Sequence, residues 1–410
     1  MRIPVLSIIF LFFISILIDC YIAYDVSKIW KKKGMRIYTL TAVLCYALLI
    51  VAICLPRRDA NAGISTVMWL LFTYIAIYAA KLFYLLCSLL GSIWRSLFKV
   101  NNQVYFFKWL GVCLGVVVMA LMWIGAGYTR HRIEVTHEEF VSKKLPEGFE
   151  GYKIVQLSDL HVGTWGNDIS FINHLVDSVN ALHPDLIVFT GDLVNRTAEE
   201  LVPFIEPLAK LQAKDGVYSI LGNHDYGDYV DWNRHEDKAR NLQLLKDYQK
   251  EMGWKMLNNE TVFLHQGQDS IMLIGVENWG EPPFTQYGDL NKALSKENKD
   301  GKSHQNDNNY KLLLSHNPEY WNQEISKNTN IDLTLSGHTH AMQSMIKIGN
   351  WKWSPAKYRY EQWGGRFNRK NSKGENTDLY VNIGSGSVGM PARFFSAYPE
   401  VTLITLKKEK

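Results

Sequence analysis

The sequence predicts an all-α membrane domain of about four helices (1–130), a linker (131–149) and a single α/β domain (150–410). Three observations predict it. Four apolar stretches of membrane-spanning length crowd the first 130 residues. From residue 152 onward, short β-branched runs alternate with amphipathic stretches. Five short polar motifs stand at the ends of such runs.

The apolar stretches are Ile3–Tyr24, Ile37–Leu55, Ile64–Leu90 and Tyr105–Ala126. A spanning helix needs ~20 predominantly apolar residues, and all four meet that length. No small-residue cleavage pattern follows Cys20, and three more such stretches do, so the first reads as a span and not as a secretory signal. Lys81 interrupts the third, which allows residues 65–80 to span while 82–98, with Trp94 and Arg95, lies in the interface. All five cysteines (Cys20, Cys45, Cys54, Cys87 and Cys113) fall in this part. The α/β domain therefore needs no disulfides and is compatible with either side of a membrane.

Charge divides sharply. Residues 1–135 carry 14 Lys+Arg against 4 Asp+Glu, which leaves 30 against 36 for the rest, so the overall +4 hides a mildly acidic second part. That balance argues against a nucleic-acid partner. The first loop holds Lys28, Lys31, Lys32, Lys33 and Arg36, and the third Arg95, Lys99 and Lys108; the second holds Arg57 and Arg58, and the amino terminus Arg2. Positive loops favour the cytoplasmic side, so four spans place the amino terminus and the α/β domain outside, although Arg130, Arg132, Lys143 and Lys144 pull the other way.

Within the α/β domain, Tyr152–Leu157, Leu186–Thr190 and Val217–Leu221 read as strands covered on both faces. Ile169–Ala181, apolar at 171, 172, 175, 176 and 179, and Ala198–Gln212 read as the helices between them. This alternation implies parallel pairing with right-handed crossovers. Further strands follow at Ile271–Val276, Tyr310–Leu314, Ile331–Leu335, Asp378–Ile383 and Glu400–Leu406. Ligands of such sheets sit beyond the carboxyl ends of the strands. There the motifs fall: Asp159-Leu160-His161, Gly191-Asp192-Leu193-Val194-Asn195, Gly222-Asn223-His224-Asp225, Ser315-His316-Asn317 and Gly337-His338-Thr339-His340. They offer two Asp, one Asn and four His as metal ligands, plus the pair His224-Asp225. Imidazole nitrogen mixed with carboxylate and amide oxygen, without thiolate, suits manganese, iron or zinc. His174, His183, His235, His265 and His304 lie outside the motifs and read as ordinary polar residues.

The ordered set D-x-H, G-D-x-x-N, G-N-H-D, H, G-H-x-H resembles the calcineurin-like metallophosphoesterase superfamily over about residues 150–406. The closing segment, Val381–Gly386 through Pro391-Ala392-Arg393 to Pro399–Ile404, further resembles its bacterial, membrane-anchored branch of broad-specificity phosphodiesterases. That branch often carries GHTHGGQ; residues 337–343 here read GHTHAMQ, which keeps the ligands and alters the loop beyond them.

The resemblance implies a four-layer αββα sandwich and a centre of two divalent ions, manganese by preference. One ion would take Asp159, His161, Asp192 and His340. The other would take Asp192, Asn223, His316 and His338, with Asp192 bridging. Such a pair activates water for in-line attack on phosphorus. His224 would donate a proton to the leaving oxygen or stabilise its charge, Asp225 would hold the His224 ring, and Asn195 would supply a supporting hydrogen bond. Arg393 is a candidate contact to substrate phosphate. The implied function is hydrolysis of phosphodiester or pyrophosphate bonds, on small-molecule, lipid-linked or envelope substrates, by a multi-pass protein of a bacterial inner or plasma membrane. The alternatives are a nucleotide-lipid pyrophosphatase of lipid A synthesis, which needs a cytoplasmic site, a nuclease, and a non-catalytic sensor of a phosphorylated ligand.

Two insertions bear on specificity. Residues 284–309 end in the polar run Ser295–Asn309, expected as a mobile surface loop. Residues 345–377 hold eight basic residues and the aromatics Trp351, Trp353, Tyr358, Tyr360, Trp363 and Phe367. They begin just after His340 and so border the site, either as an anionic-ligand patch or as a packed, solvated loop.

Overall fold

The computed structural model describes residues 5–56, 58–99, 103–282, 285–295 and 309–409. Most of the polar run 295–309 lies outside the described residues. The chain divides into two units.

The first unit is helical. A helix over Val5–Cys54 is interrupted at Lys31, where φ is 53° and ψ −151°. It therefore supplies two candidate spans, Phe10–Lys28 and Lys31–Cys54; Ile64–Phe98 and Tyr105–His131 are the others. The third is one continuous helix of 35 residues with no break at Lys81. The reason is local. Lys81 Nζ reaches Asp19 Oδ1 at 2.8 Å inside the unit, so its charge is compensated without leaving the helix. The hydroxyls of Tyr38, Tyr46 and Tyr78 donate to the same carboxylate at 2.5–2.6 Å. Leu40, Leu44, Ile50 and Leu86 stay exposed, as lipid-facing positions do.

The second unit is built on two six-stranded sheets. One contains β1 (Glu134–Ser142), β2 (Lys153–Leu157), β3 (Leu186–Phe189), β4 (Val217–Ser219), β5 (Lys255–Met256) and β15 (Glu400–Lys408), in the order β1-β15-β2-β3-β4-β5. The other contains β6 (Glu260–Gln266), β7 (Asp269–Gly275), β8 (Lys311–Leu314), β9 (Leu333–Ser336), β12 (Gly365–Lys370) and β13 (Asn376–Val381), in the order β12-β13-β9-β8-β7-β6. A small sheet joins β10 (Ser344–Ile348), β11 (Trp351–Trp353) and β14 (Phe394–Phe395). The central strands β2-β3-β4 and β7-β8-β9 pair in parallel, as the alternating pattern requires.

Three buried clusters define four layers. Ile154, Val188 and Ile220 meet Leu273, Leu312 and Leu333 between the sheets. Phe171, Leu175 and Leu245, from helices Ser170–Asn180 and His235–Glu251, cover the first sheet's outer face. Leu290, Leu294, Trp321 and Ile325 cover the outer face of the second. The expected αββα sandwich is the result.

Two expectations need correction. Residues 131–149 are more than a linker, because β1 within them pairs in parallel with β15 along its whole length. The stretch 198–212 is not one helix but a 3₁₀ run, Ala198–Phe204, followed by a single α-turn, Ile205–Leu208. Pro203 and Pro207 lack the amide hydrogens that a longer α-helix needs there.

Candidate metal centre

Strand register brings the motifs to one place. Leu157 aligns with Phe189 and Phe189 with Ser219 in one sheet; Leu314 aligns with Leu335 in the other. Asp159, Asp192 and Asn223 thus follow three neighbouring strands, and His316 and His338 follow two. The backbone there is left-handed: φ is 55° at Asp159, 44° at His161, 60° at Asp192, 75° at His338 and 51° at His340. Each such residue costs roughly 1–2 kcal/mol relative to a right-handed conformation. A cluster of them marks backbone held in place for function. A Cβ on Gly337 would overlap Ser158 Oγ and the Asp159 carboxylate, so only glycine lets these strand ends meet.

Asp159, His161, Asp192 and His340 bring one nitrogen or oxygen each within 4.8 Å of one another, and Asp192, His316 and His338 form a second such group. His340 Nε2 lies 3.1 Å from Asp159 Oδ1 and 3.1 Å from His161 Nε2. In the second group His316 Nε2 lies 3.3 Å from Asp192 Oδ2 and 3.3 Å from His338 Nδ1. Asn223 follows Gly222 beside them. Its amide nitrogen donates to the Tyr229 hydroxyl at 2.8 Å, while its buried Oδ1 has no hydrogen-bond partner. A buried carbonyl oxygen without a hydrogen-bond partner fits a cation ligand, and the whole donor set suits divalent ions.

The electrostatics agree. Burial opposes the charge on both carboxyls, yet His340 beside Asp159 and His316 beside Asp192 hold them below the usual carboxylate range. Against burial, which lowers it, Asp192 pushes His316 up to about 9. Burial and the charge on His316 push His338 down to about 3. Two buried carboxylates thus demand positive charge between them, which a proton on His316 or a metal ion can supply.

The supporting contacts differ from expectation. Asp225 does not touch the His224 ring. Its carboxylate accepts the backbone N–H groups of Asp192, Leu193, Val194 and Gly222 at 2.9–3.2 Å. It clamps the two loops that carry Asp192 and Asn223, although burial and the charge on Asp192 push its carboxyl up to about 7. The His224 ring is oriented by Asn195, whose backbone carbonyl accepts from Nδ1 at 2.7 Å. The Asn195 amide donates to Thr164 Oγ1 at 3.0 Å. His224 also donates its backbone N–H to Asp192 Oδ1 at 2.8 Å, and its ring sits edge-on to His161 at 4.7 Å.

Arg393 is corrected as well. It is fully buried, and its guanidinium donates to the backbone carbonyls of Gly386, Ile383 and Gly384 at 2.6–3.0 Å. It fixes the closing segment and has no donor turned outward to a substrate.

Two residues that sequence reading missed join the site. Tyr229 stacks on His224 with ring centroids 4.1 Å apart. Tyr360 places its hydroxyl 3.2 Å from His338 Nε2. Tyr360 belongs to the aromatic stretch 345–377, so its signal was visible while its partner was not. In that stretch Lys347, Arg359, Arg366 and Arg369 each pair with a carboxylate, Glu134, Glu281, Asp378 and Glu361 in turn, which compensates half of its basic residues.

Comparison with known proteins agrees with this geometry. Residues 152–342 match the family model described as calcineurin-like phosphoesterase. Residues 1–129 match that of a probable calcineurin-like phosphoesterase transmembrane domain. An uncharacterized metallophosphoesterase of Bacillus subtilis strain 168, YkuE, is 30% identical over 300 residues, which is 69% of this chain and 90% of that protein. A transmembrane protein with metallophosphoesterase domain from Danio rerio is 29% identical over 355 residues, 82% of this chain and 73% of that one. The solved structure of phosphopantetheinyl hydrolase from Mycobacterium tuberculosis is 12% identical, covers 52% of this chain and 94% of its own, and overlays with a TM-score of 0.28, too loosely to carry an argument. With its motifs gathered at two strand-end rows and a relative matched over nearly its whole length, the chain belongs to the calcineurin-like phosphoesterase family.

Proposed function

We propose that the protein is a membrane-anchored phosphoesterase that hydrolyses phosphodiester or pyrophosphate bonds at a centre of two divalent metal ions, manganese by preference. The observation that carries this reading is the sharing of Asp192 between two ligand groups. Asp159, His161, Asp192 and His340 would hold one ion; Asp192, Asn223, His316 and His338 the other. Bound there, such ions supply a water of near-neutral pKa and positive charge for the phosphoryl oxygens.

The protein's own groups prepare that chemistry. The His316 Nδ1–H donates to the Thr190 carbonyl at 2.7 Å, so Nε2, which faces Asp192, is the nitrogen that would give its lone pair to an ion in exchange for its proton. For His338 to turn a lone pair from Nδ1 toward its group, Nε2 must carry the proton, and the Tyr360 oxygen is placed to accept it. His224 is fixed through Nδ1 to Asn195, so Nε2 is the atom through which it would hand a proton to the leaving oxygen. Asn223, His224 and His338 are the partly exposed members of the site, so substrate approaches from their side.

The membrane anchor supports a lipid-linked or envelope phosphoester as substrate, since tethering raises effective concentration at that surface. Loop charge supports an outward-facing catalytic domain. The test uses the full-length protein in detergent with a chromogenic diester and its monoester, supplied with manganese, iron or zinc, or with chelator. Metal-dependent cleavage of the diester, favoured over the monoester and lost in Asp192→Asn, is expected. No turnover by folded, metal-loaded protein would replace the enzyme with a phospho-ligand sensor. Labelling of single cysteines placed in the catalytic domain, on sealed cells, decides the side; protection from an impermeant reagent would put the domain inside.

A further inference from the structure

The first unit holds a cavity of about 980 Å³, at the upper end of the ~300–1,000 Å³ common among ligand sites. Every residue that lines it belongs to one of the four candidate spans. Most of the wall is apolar, with Ile22 and Val26 facing Val112, Val116 and Met119. At Gly111 and Gly115 the fourth span comes close to the backbone of the third. A Cβ on Gly111 would come within 2.9 Å of Tyr84 Cα, and one on Gly115 within 2.9 Å of the Ala80 carbonyl oxygen. This four-residue spacing of glycines seals one seam of the cavity by backbone packing.

The charges on the wall have one sign. Lys28, Lys81 and Lys108 line the cavity, and no carboxylate does. Asp19 and Asp25 pair with Lys81 at 2.8 Å and Lys108 at 2.5 Å, yet neither is part of the lining, so they hold these lysines from outside it. Lys28 lies 4.0 Å over the Tyr24 ring and has no carboxylate partner among the described residues. Three ammonium groups therefore face two carboxylates, which leaves one positive charge, that of Lys28, uncompensated on the cavity wall. Lys28 ends the first span and Lys108 falls in the first turns of the fourth, so these two mark a head-group level. The apolar wall continues from there along the fourth span. A neutral apolar occupant would leave the excess charge uncompensated at membrane depth.

We propose that this cavity binds an anionic, phosphate-bearing membrane lipid. The phosphate sits between Lys28 and Lys108, and one acyl chain runs along Val112, Val116 and Met119. The site is independent of the metal centre, and its test reads binding, not hydrolysis.

Full-length protein is delipidated in detergent and titrated with phosphatidylglycerol or with phosphatidylcholine of the same chains, and bound lipid is counted by native mass spectrometry. One phosphatidylglycerol per chain is expected, held in preference to phosphatidylcholine. Lys28→Gln, an exposed position, weakens phosphatidylglycerol about fivefold and leaves phosphatidylcholine unchanged. Val116→Trp fills the chain site and removes the bound lipid, while circular dichroism and diester hydrolysis report that the protein is still folded. Equal retention of the two lipids by the wild type, or an unchanged lipid count in Val116→Trp, overturns the proposal.

Discussion

Both units bury carboxylates, and they do so in opposite ways. In the helical unit Asp19 and Asp25 sit inside helices, each beside a lysine, with three tyrosine hydroxyls donating to Asp19 and one to Asp25. Among the described residues up to Tyr128, no buried side-chain nitrogen or oxygen lacks a partner. In the sandwich, Asp159 and Asp192 stand on left-handed backbone among imidazoles. Around them His161 Nδ1, His340 Nδ1, Asn195 Oδ1 and Asn223 Oδ1 are buried without partners. Satisfied charge on unstrained backbone is what a structural support needs. Buried donors and acceptors without protein partners, beside carboxylates on left-handed backbone, are what a binding site offers. The contrast separates a site that holds the molecule together from one that is built to bind.

The largest effect is expected at Asp192. Asp192→Asn removes the charge that both ligand groups share and lowers diester hydrolysis at least about a thousandfold, the equivalent of several kcal/mol of lost charge stabilisation. Metal content measured on the same protein should fall below that of the wild type. Retained activity would mean that the shared carboxylate is a support after all. His224→Ala should cost about a hundredfold in kcat with metal content unchanged, the range of a lost proton donor. A loss of metal in that variant would move His224 from the reaction into the binding of the centre.

How far the sequence could be read follows the same division. Strand ends and the order of polar motifs are local properties, so the sandwich, its parallel strands and the six clustered Asp and His residues were legible from chain position. What was not legible depends on which group a side chain meets across the fold. Asp225 adjoins His224 in sequence, and reading from adjacency pairs the two. Folding instead turns the carboxylate back onto four N–H groups of two loops, and gives the ring to Asn195. Arg393 reads as a phosphate contact because arginine commonly is one; only the fold shows its donors spent on carbonyls. Strand β1 was missed because Glu134–Ser142 alternates weakly and lies at a sheet edge, where its partner β15 is more than 250 residues away.

Smaller effects sharpen the contrast. Asp225→Asn replaces a four-fold acceptor with an amide whose NH₂ must face N–H donors. At least one donor is left unpaired, so thermal unfolding should report a loss of roughly 3 kcal/mol, with activity falling through the displaced loops. Unchanged stability would deny the clamp. Tyr360→Phe keeps the ring and removes the acceptor for His338 Nε2. Metal affinity at the second group should drop about tenfold, read by titration, with kcat at saturating metal close to wild type.

The smallest effect on hydrolysis is expected in the helical unit, where the structural-support reading is itself at risk. Lys81→Met leaves the Asp19 carboxylate buried with only tyrosine donors. Losing one partner of a buried pair typically costs about 3–5 kcal/mol, so the detergent-solubilised protein should unfold at lower temperature. Diester hydrolysis per folded molecule should stay unchanged. The double replacement Asp19→Asn with Lys81→Met removes the stranded charge and should recover most of the stability, because a neutral amide can share hydrogen bonds with Tyr38, Tyr46 and Tyr78. Recovery would show that the pair matters only as a compensated charge. If instead the double variant folds as well as the wild type but loses hydrolysis, the buried ion pair is coupled to the reaction, and the division between a supporting unit and a working one fails at that point.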